Sequence, residues 1–149
     1  MSKKLTLLVI HCTDTPAGRE IYKHDIEQWH IKERGWSKVG YSDLIHLNGA
    51  VTNLIPFNQD AVVDNWEISN GASGYNGIAR HVCYAGGYQG KDTRTAAQKY
   101  ALEIYVKYML LRYPDIKVVG HNQISSKNCP SFNVPNWLRS IGVTSKNIK

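Results

Sequence analysis

Long apolar runs and cysteines are both scarce in this chain of 149 residues. Because no apolar stretch reaches about 18 residues, we expect no membrane-spanning helix and no membrane insertion. The three cysteines are an odd number, which argues against a disulfide framework and for synthesis in a reducing compartment. Internal repeats, low-complexity tracts and Pro- or Ser-rich linkers are also missing, so we expect one domain over residues 1–149.

Positive charge prevails, with 18 Lys and Arg against 12 Asp and Glu and a net charge of +6. Such an excess improves solubility, and it also attracts polyanions, among which nucleic acid and bacterial wall polymers both qualify. No basic block with interleaved aromatic residues favours nucleic acid. Charge alone therefore does not identify the partner.

The first 11 residues imitate a signal peptide, because two lysines precede a short apolar run. No small-residue cleavage site follows this run, and it is short for a signal sequence. We therefore interpret residues 5–11 as a buried strand and expect synthesis in the cytoplasm without a signal peptide.

Periodicity and turn residues predict an α/β fold, a sandwich with a central mixed β-sheet flanked by about three helices. Helices are predicted at 23–34, at 95–113, and from Pro135 to the residue before Gly142. Further strands are predicted at 42–47, 50–54, 80–84 and 117–119. Residues 57–77 are expected to form a long loop.

Two local patterns support this assignment. Asn48-Gly49 is a strong hairpin signal, because both residues tolerate the positive φ of a type I′ turn. Thr95 and Gln98 form a capping box at the start of the long helix. The apolar stripe predicted for this helix consists of Ala97, Ala101, Ile104, Tyr105, Tyr108 and Leu111.

Two histidines follow strand-like runs, His11 after residues 5–10 and His121 after the strand 117–119 and Gly120, and Cys129 lies in the loop beyond. Strands that end at the same sheet edge would bring the two imidazoles together. Two imidazoles and one thiolate suit zinc, and three protein ligands leave a position open for water, as in catalytic sites. A loop cysteine is more often an ordinary buried thiol, so spacing alone leaves both interpretations open.

Short segments along the chain carry a family resemblance: Val9-Ile10-His11-Cys12-Thr13, Ile26-Glu27-Gln28-Trp29-His30, Arg34-Gly35-Trp36, Val39-Gly40-Tyr41, Val82-Cys83-Tyr84-Ala85-Gly86-Gly87, Gly120-His121 and Lys127-Asn128-Cys129-Pro130-Ser131-Phe132. In this order they resemble the zinc-dependent N-acetylmuramoyl-L-alanine amidases, the family of small phage amidase lysozymes and peptidoglycan recognition proteins. The resemblance covers about residues 5–141, the expected core of the domain. It implies that His11, His121 and Cys129 bind one Zn²⁺ and that Tyr41 and Lys127 are catalytic.

The two implied catalytic residues have matching chemistry. A cation such as Lys127, two residues before a metal ligand, can stabilise the oxyanion that forms when an amide carbonyl is attacked. The phenol of Tyr41 can orient water or donate a hydrogen bond to the same oxyanion. The alternatives are a solvated loop lysine and a packing tyrosine.

This chain departs from the family pattern at several positions. Many relatives have a histidine and an aromatic residue after the tyrosine, where Ser42 and Asp43 stand here. Some carry a histidine near Gly71-Ala72, and Arg80-His81 replaces small or apolar residues. Asp43, expected on the strand face of Tyr41, could orient a ligand histidine, act as a base or pair with a cation. We expect these differences to change substrate specificity.

Substrate contacts are expected from Asp43, Trp66, Tyr75 and His81, with Tyr84 and Tyr88 as further stacking candidates; packing is the alternative for each aromatic residue. For His81, support of a site residue from behind the cleft is the other role that the sequence leaves open. The remaining histidines and cysteines have plainer interpretations. His24 and His46 are expected to be ordinary polar residues, His30 to form a hydrogen bond in the core, and Cys12 and Cys83 to be buried.

The expected function is hydrolysis of the amide between N-acetylmuramic acid and L-alanine in peptidoglycan, by a monomeric, prophage-type lytic enzyme that reaches the wall after release from the cytoplasm. The alternative is a module that recognises muropeptides without cutting them. Such relatives typically lack the cysteine ligand, whereas Cys129 is present. A basic nucleic-acid-binding protein is a third interpretation, and no nucleic acid partner is expected.

Overall fold

The structure is a computed structural model that describes residues 2–149. Its strands are β1 (Lys3–Lys4), β2 (Leu7–Cys12), β3 (Asp43–Ile45), β4 (Val51–Asn53), β5 (Val62–Val63), β6 (Ala79–Tyr84) and β7 (Lys117–Gly120). Five of them form a mixed sheet in the order β4-β3-β6-β2-β7, in which only the β3–β4 pair is antiparallel. The strands β1 and β5 form a separate antiparallel pair.

Three α-helices cover the two faces of this sheet: α1 (Lys23–Glu27), α2 (Ala96–Arg112) and α3 (Val134–Ser140). Apolar side chains of α2 and α3 pack with Leu8 and Ile10 of β2, whereas Ile26 of α1 packs with Leu44 of β3 on the other face. The predicted α/β sandwich is therefore confirmed. Across residues 2–149, no helix combines the length and the apolarity that crossing a membrane requires.

Alternation along β2 decides which side chains reach the site. Leu8, Ile10 and Cys12 face α2 and α3, so the intervening His11 points to the opposite face. The strands β2, β3, β6 and β7 run parallel, so their carboxyl ends share one edge of the sheet. Cys12 and Cys83 are buried, as predicted.

The stripe predicted for α2 is mostly wrong, because only Ala101 and Tyr105 of its six residues pack against the core. Ile104, Tyr108 and Leu111 are 51%, 46% and 84% exposed, and the helix instead buries Leu102, Val106, Met109 and Gln98. Apolar residues of this helix lie on all of its sides, so the sequence pattern does not define one buried face. The face packed on the sheet includes Gln98, whose side-chain amide donates to the carbonyl of Ala85 at 2.9 Å.

Three further boundaries differ from the predictions. The first helix changes to a π-helical turn, Gln28–Glu33, before Gly35. The hairpin forms, but only Gly49 of the Asn48-Gly49 pair has positive φ, at +86°, so the turn is not type I′. The predicted loop 57–77 contains β5 and two short 3₁₀ turns, Asn65–Glu67 and Asn76–Ile78.

Candidate metal centre and catalytic cleft

The three predicted ligands meet at the carboxyl edge of the parallel strands. His11 lies near the end of β2, His121 follows β7 directly, and Cys129 comes from the loop between β7 and α3. One ligand atom from each residue lies within 4.8 Å of those of the other two. His11 and His121 are buried and Cys129 is half-buried. These residues could hold a metal ion.

Hydrogen bonds at Cys129 and at Pro130 hold the loop that carries Cys129. Its Sγ lies 3.6 Å from Nδ1 of His11 and accepts a 3.2 Å hydrogen bond from the backbone N–H of Cys12. The buried phenol of Tyr84 donates to the carbonyl of Pro130 at 2.7 Å. The neighbouring Cys12 and burial raise the pKa of the Cys129 thiol. A bound cation would therefore be needed to hold this sulfur as a thiolate.

Electrostatics keep the two histidine ligands neutral. Burial, followed by the proximity of the His81 imidazole, lowers the pKa of His11 well below its usual value. Burial and then Lys127 lower the pKa of His121. A neutral imidazole offers a nitrogen lone pair, so both rings are in the state that metal binding requires.

The ligands line a cleft of about 430 Å³ that also contains both predicted catalytic residues. The ring of Tyr41 lies 5.4 Å from that of His11, and its hydroxyl donates to the carbonyl of Cys12 at 3.3 Å. Burial raises the pKa of Tyr41, so its phenol keeps the proton and remains a donor. Lys127 and Arg34 are exposed residues of the same lining and supply positive charge.

Asp43 lies outside this cleft. It is buried on the α2 face, where its carboxylate accepts hydrogen bonds from Tyr105 at 2.5 Å and Asn53 at 2.8 Å and lies 3.5 Å from Nη2 of Arg80. This placement does not support the predicted substrate contact, because the carboxylate is engaged on the opposite face from Tyr41. Of the proposed roles, pairing with a cation is the one that the contacts fit.

The predicted aromatic contacts also lie away from the cleft lining. Trp66 is 49% exposed in a short 3₁₀ turn. Tyr75 packs against Leu7 and its neighbours, and Tyr84 is buried. Tyr88 is exposed beside the cleft residue Gln89. None of these four aromatic side chains is among the cleft-lining residues that the structure describes.

His81 is fully buried and is not part of the cleft lining, so a direct substrate contact does not fit its position. Its Nδ1 instead lies 2.8 Å from Nε2 of the ligand His11. Burial, ahead of the neighbouring His121 and Arg80, lowers the pKa of His81 to about 3. Only the pairing of β6 with β2, with His81 opposite Val9, brings the two rings together, and the sequence alone does not show this register.

His30 is a cleft residue, although its spacing on the helix predicts a place in the core. It is buried but lines the cleft, and its Nδ1 accepts a 2.8 Å hydrogen bond from the backbone N–H of Gly40. Its ring contacts Trp36 and Tyr41. Burial, ahead of Arg34, lowers the pKa of His30 to about 4. The spacing of His30 on its helix was the available signal, and it indicated burial but not the cleft.

Comparison with known families settles the affiliation of this chain. The family model described as N-acetylmuramoyl-L-alanine amidase matches residues 1–132. The chain belongs to this family. The protein is therefore an amidase, in agreement with a cleft that combines a candidate metal centre with hydrogen-bond donors and positive charge.

Individual relatives agree with this affiliation. The endolysin of Enterobacteria phage K11 is 30% identical over 135 residues, which cover 88% of this chain and 83% of that endolysin. Among solved structures, the amidase LysC from Clostridium intestinale has a TM-score of 0.75 at 22% identity, covering 95% of this chain and 87% of LysC. Human PGRP-IBETAC, solved in complex with glycosamyl muramyl pentapeptide, has the same TM-score at 18% identity, covering 99% of this chain and 87% of that protein. These two structural matches show the fold.

Proposed function

We propose that the protein is a zinc hydrolase that cleaves the amide bond between N-acetylmuramic acid and L-alanine in peptidoglycan. Family membership supports the reaction. The observation that carries the zinc assignment is the cluster of two imidazoles and one thiol in a cleft beside a protonated tyrosine and a lysine. We further infer that the whole chain, with its core at about 5–141, is one amidase domain.

The donor set fits zinc in both chemistry and spacing. Zinc prefers nitrogen and sulfur ligands, with bonds of about 2.0–2.1 Å to histidine and 2.3 Å to cysteine. At a tetrahedral angle these bonds separate N and S by about 3.6 Å, and the distance between His11 Nδ1 and Cys129 Sγ is 3.6 Å. With His121 as the third ligand, zinc would supply Lewis acidity and lower the pKa of water to about 7.

Two residues of the cleft would stabilise the charge that develops on the amide oxygen. The phenol of Tyr41 is held close to His11 and remains protonated, so it can donate a hydrogen bond. Lys127 lines the same cleft, and its ammonium adds a positive charge there. Donors and cations aimed at a developing oxyanion typically contribute about 10²–10³-fold in rate.

The relatives suggest where such an enzyme acts. The phage K11 relative is an endolysin, and we propose a lytic role of the same kind, with synthesis in the cytoplasm, release to the wall and action as a monomer. The net charge of +6 would favour retention on an anionic wall polymer. This attraction should weaken as added salt shortens the Debye length from about 10 Å to about 3 Å.

The rival function is recognition of muropeptides without cleavage. The complex of human PGRP-IBETAC with glycosamyl muramyl pentapeptide shows that this fold can bind such a ligand. Cys129 favours the enzyme, because its Sγ completes the cluster with His11 and His121, whereas a binding module needs no third metal ligand.

Digestion of purified peptidoglycan tests the proposal against its rival. The protein should release stem peptides with new L-alanine amino termini and create no new reducing sugar ends. Cys129→Ser should release far less, and His46→Gln should match the wild type because His46 bonds Thr52 outside the cleft. Binding to the wall without any release would support the recognition module. New reducing ends would indicate glycosidase activity and contradict the proposal.

A further inference from the structure

Behind the metal centre, hydrogen bonds join three residues into a chain. Nε2 of His11 lies 2.8 Å from Nδ1 of His81, and Nε2 of His81 lies 3.1 Å from Oδ1 of Asn76. The same Oδ1 accepts a 2.9 Å hydrogen bond from the backbone N–H of Ala72. His81 is fully buried, and its own backbone is fixed by hydrogen bonds with Ser42.

The direction of each hydrogen bond follows from the Ala72 end. A backbone N–H only donates, so the Asn76 atom facing it must be the amide oxygen. That oxygen accepts from His81, which places the proton of the neutral ring on Nε2 and leaves Nδ1 as an acceptor. His11 must then donate from Nε2, so its own Nδ1 carries no proton. This unprotonated Nδ1 of His11 lies 3.6 Å from Sγ of Cys129.

The space for this arrangement depends on Gly71. A Cβ added at Gly71 would lie 2.4 Å from Nδ1 of His81 and 2.5 Å from the carbonyl oxygen of Gly40. Contacts under about 3 Å are far inside van der Waals distance. A side chain at position 71 and the His81 ring therefore compete for the same volume.

We propose that His81 and Asn76 are positioning residues, a relay that holds His11 in the tautomer whose Nδ1 binds the metal. A ligand fixed in the correct tautomer and ring orientation binds without prior rearrangement, and partners of this kind typically change metal affinity by about 10- to 100-fold. The inference rests on the proposed zinc site, but it concerns the affinity of that site and not the reaction.

Zinc affinity provides the first test, measured by competition with a chromophoric chelator on the full-length chain. Asn76→Leu removes the acceptor and should weaken zinc binding by about 10- to 100-fold. Asn76→Asp keeps an oxygen acceptor and should restore affinity close to that of the wild type. His46→Gln is the matched control, because it removes a hydrogen-bonded histidine outside the cleft. Circular dichroism establishes that each variant is folded.

Nitrogen-15 NMR of the histidine rings provides a readout that needs no variant. In the zinc-free wild type, His11 should show a proton on Nε2 and none on Nδ1, and zinc should shift the Nδ1 signal. Asn76→Leu should show a mixture of His11 tautomers. A proton on Nδ1 in the wild type, or metal bound through Nε2, would overturn the relay.

The outcomes separate the relay from the function on which it rests. Zinc binding by Asn76→Leu as tight as that of the wild type would overturn the relay alone. A folded wild type that binds no zinc would overturn the proposed function and the relay with it. Should Asn76→Leu fail to fold, Asn76→Ala supplies a second variant, because it also removes the acceptor oxygen and should likewise weaken zinc binding.

Discussion

Replacing Asp43 with asparagine should destabilise the protein without impairing its chemistry. The Asp43 carboxylate is buried beside Arg80, whose side chain is 2% exposed. Asparagine keeps the shape and still accepts the hydrogen bond from Tyr105, but the guanidinium loses its counter-charge. Arg80 keeps its hydrogen bonds to the carbonyls of Ile55 and Pro56, which limits the damage.

The expected magnitude follows from these contacts. Breaking a buried ion pair by removing one partner typically costs about 3–5 kcal/mol, and the remaining hydrogen bonds of Arg80 point to the lower end of this range. In a domain of this size, each kcal/mol lowers Tm by about 2–4 °C. Asp43→Asn should therefore lower Tm by about 6–12 °C.

Thermal unfolding followed by circular dichroism, together with kcat/KM on wall fragments well below Tm, measures both effects. The matched control is Asp115→Asn, which removes an exposed carboxylate paired with Lys146 and should leave Tm unchanged. An unchanged Tm for Asp43→Asn with a large loss of kcat would contradict the structural role and indicate that Asp43 takes part in the reaction.

Three further predictions concern the cleft. Lys127→Ala should retain zinc but lower turnover by about 10²-fold, as loss of an oxyanion donor does; a wild-type rate on wall fragments would remove Lys127 from the reaction. Tyr41→Phe should behave similarly in the same assay, because it loses only the phenolic donor, and loss of bound zinc in this variant would contradict a purely catalytic role. Because the pKa of His30 is lowered to about 4, the unfolded chain binds a proton between about pH 6.5 and 4 that the folded chain does not. The free energy of unfolding should therefore decrease as pH is lowered from about 6.5 to 4, by up to about 1.4 kcal/mol per pH unit from this group. In urea unfolding, His30→Gln should show a shallower dependence of stability on pH. Equal slopes for the variant and the wild type would contradict the assignment of a neutral, buried His30.

The metal cluster could be predicted from the sequence because two of its members follow apolar strands. Parallel strands end at a common edge, and His11 and His121 lie near one another because β2 and β7 are neighbours in the sheet. Cys129 comes from a loop, and its place in the cluster depended on the family resemblance. The order of the helices and strands was also predictable from periodicity, caps and turn residues.

Other features depend on tertiary contacts that no local pattern contains. Asp43 was expected on the face of Tyr41 by alternation, but β3 begins only at Asp43, and the carbonyl of Ser42 accepts from both Leu54 and Ile55. This irregular pairing interrupts the alternation before the strand begins. The contact of His81 with His11 likewise requires the register between two strands that are distant in sequence.

The zinc dependence of stem-peptide release is the sharpest test of the proposed zinc hydrolase. Purified peptidoglycan would be incubated with the wild type as prepared, after zinc removal by a chelator, and after zinc is restored, and new L-alanine amino termini would be counted. A zinc hydrolase should release these peptides in the first and third samples and almost none in the second, and added zinc should not restore release by Cys129→Ser. Equal release by the zinc-free protein would contradict this proposal.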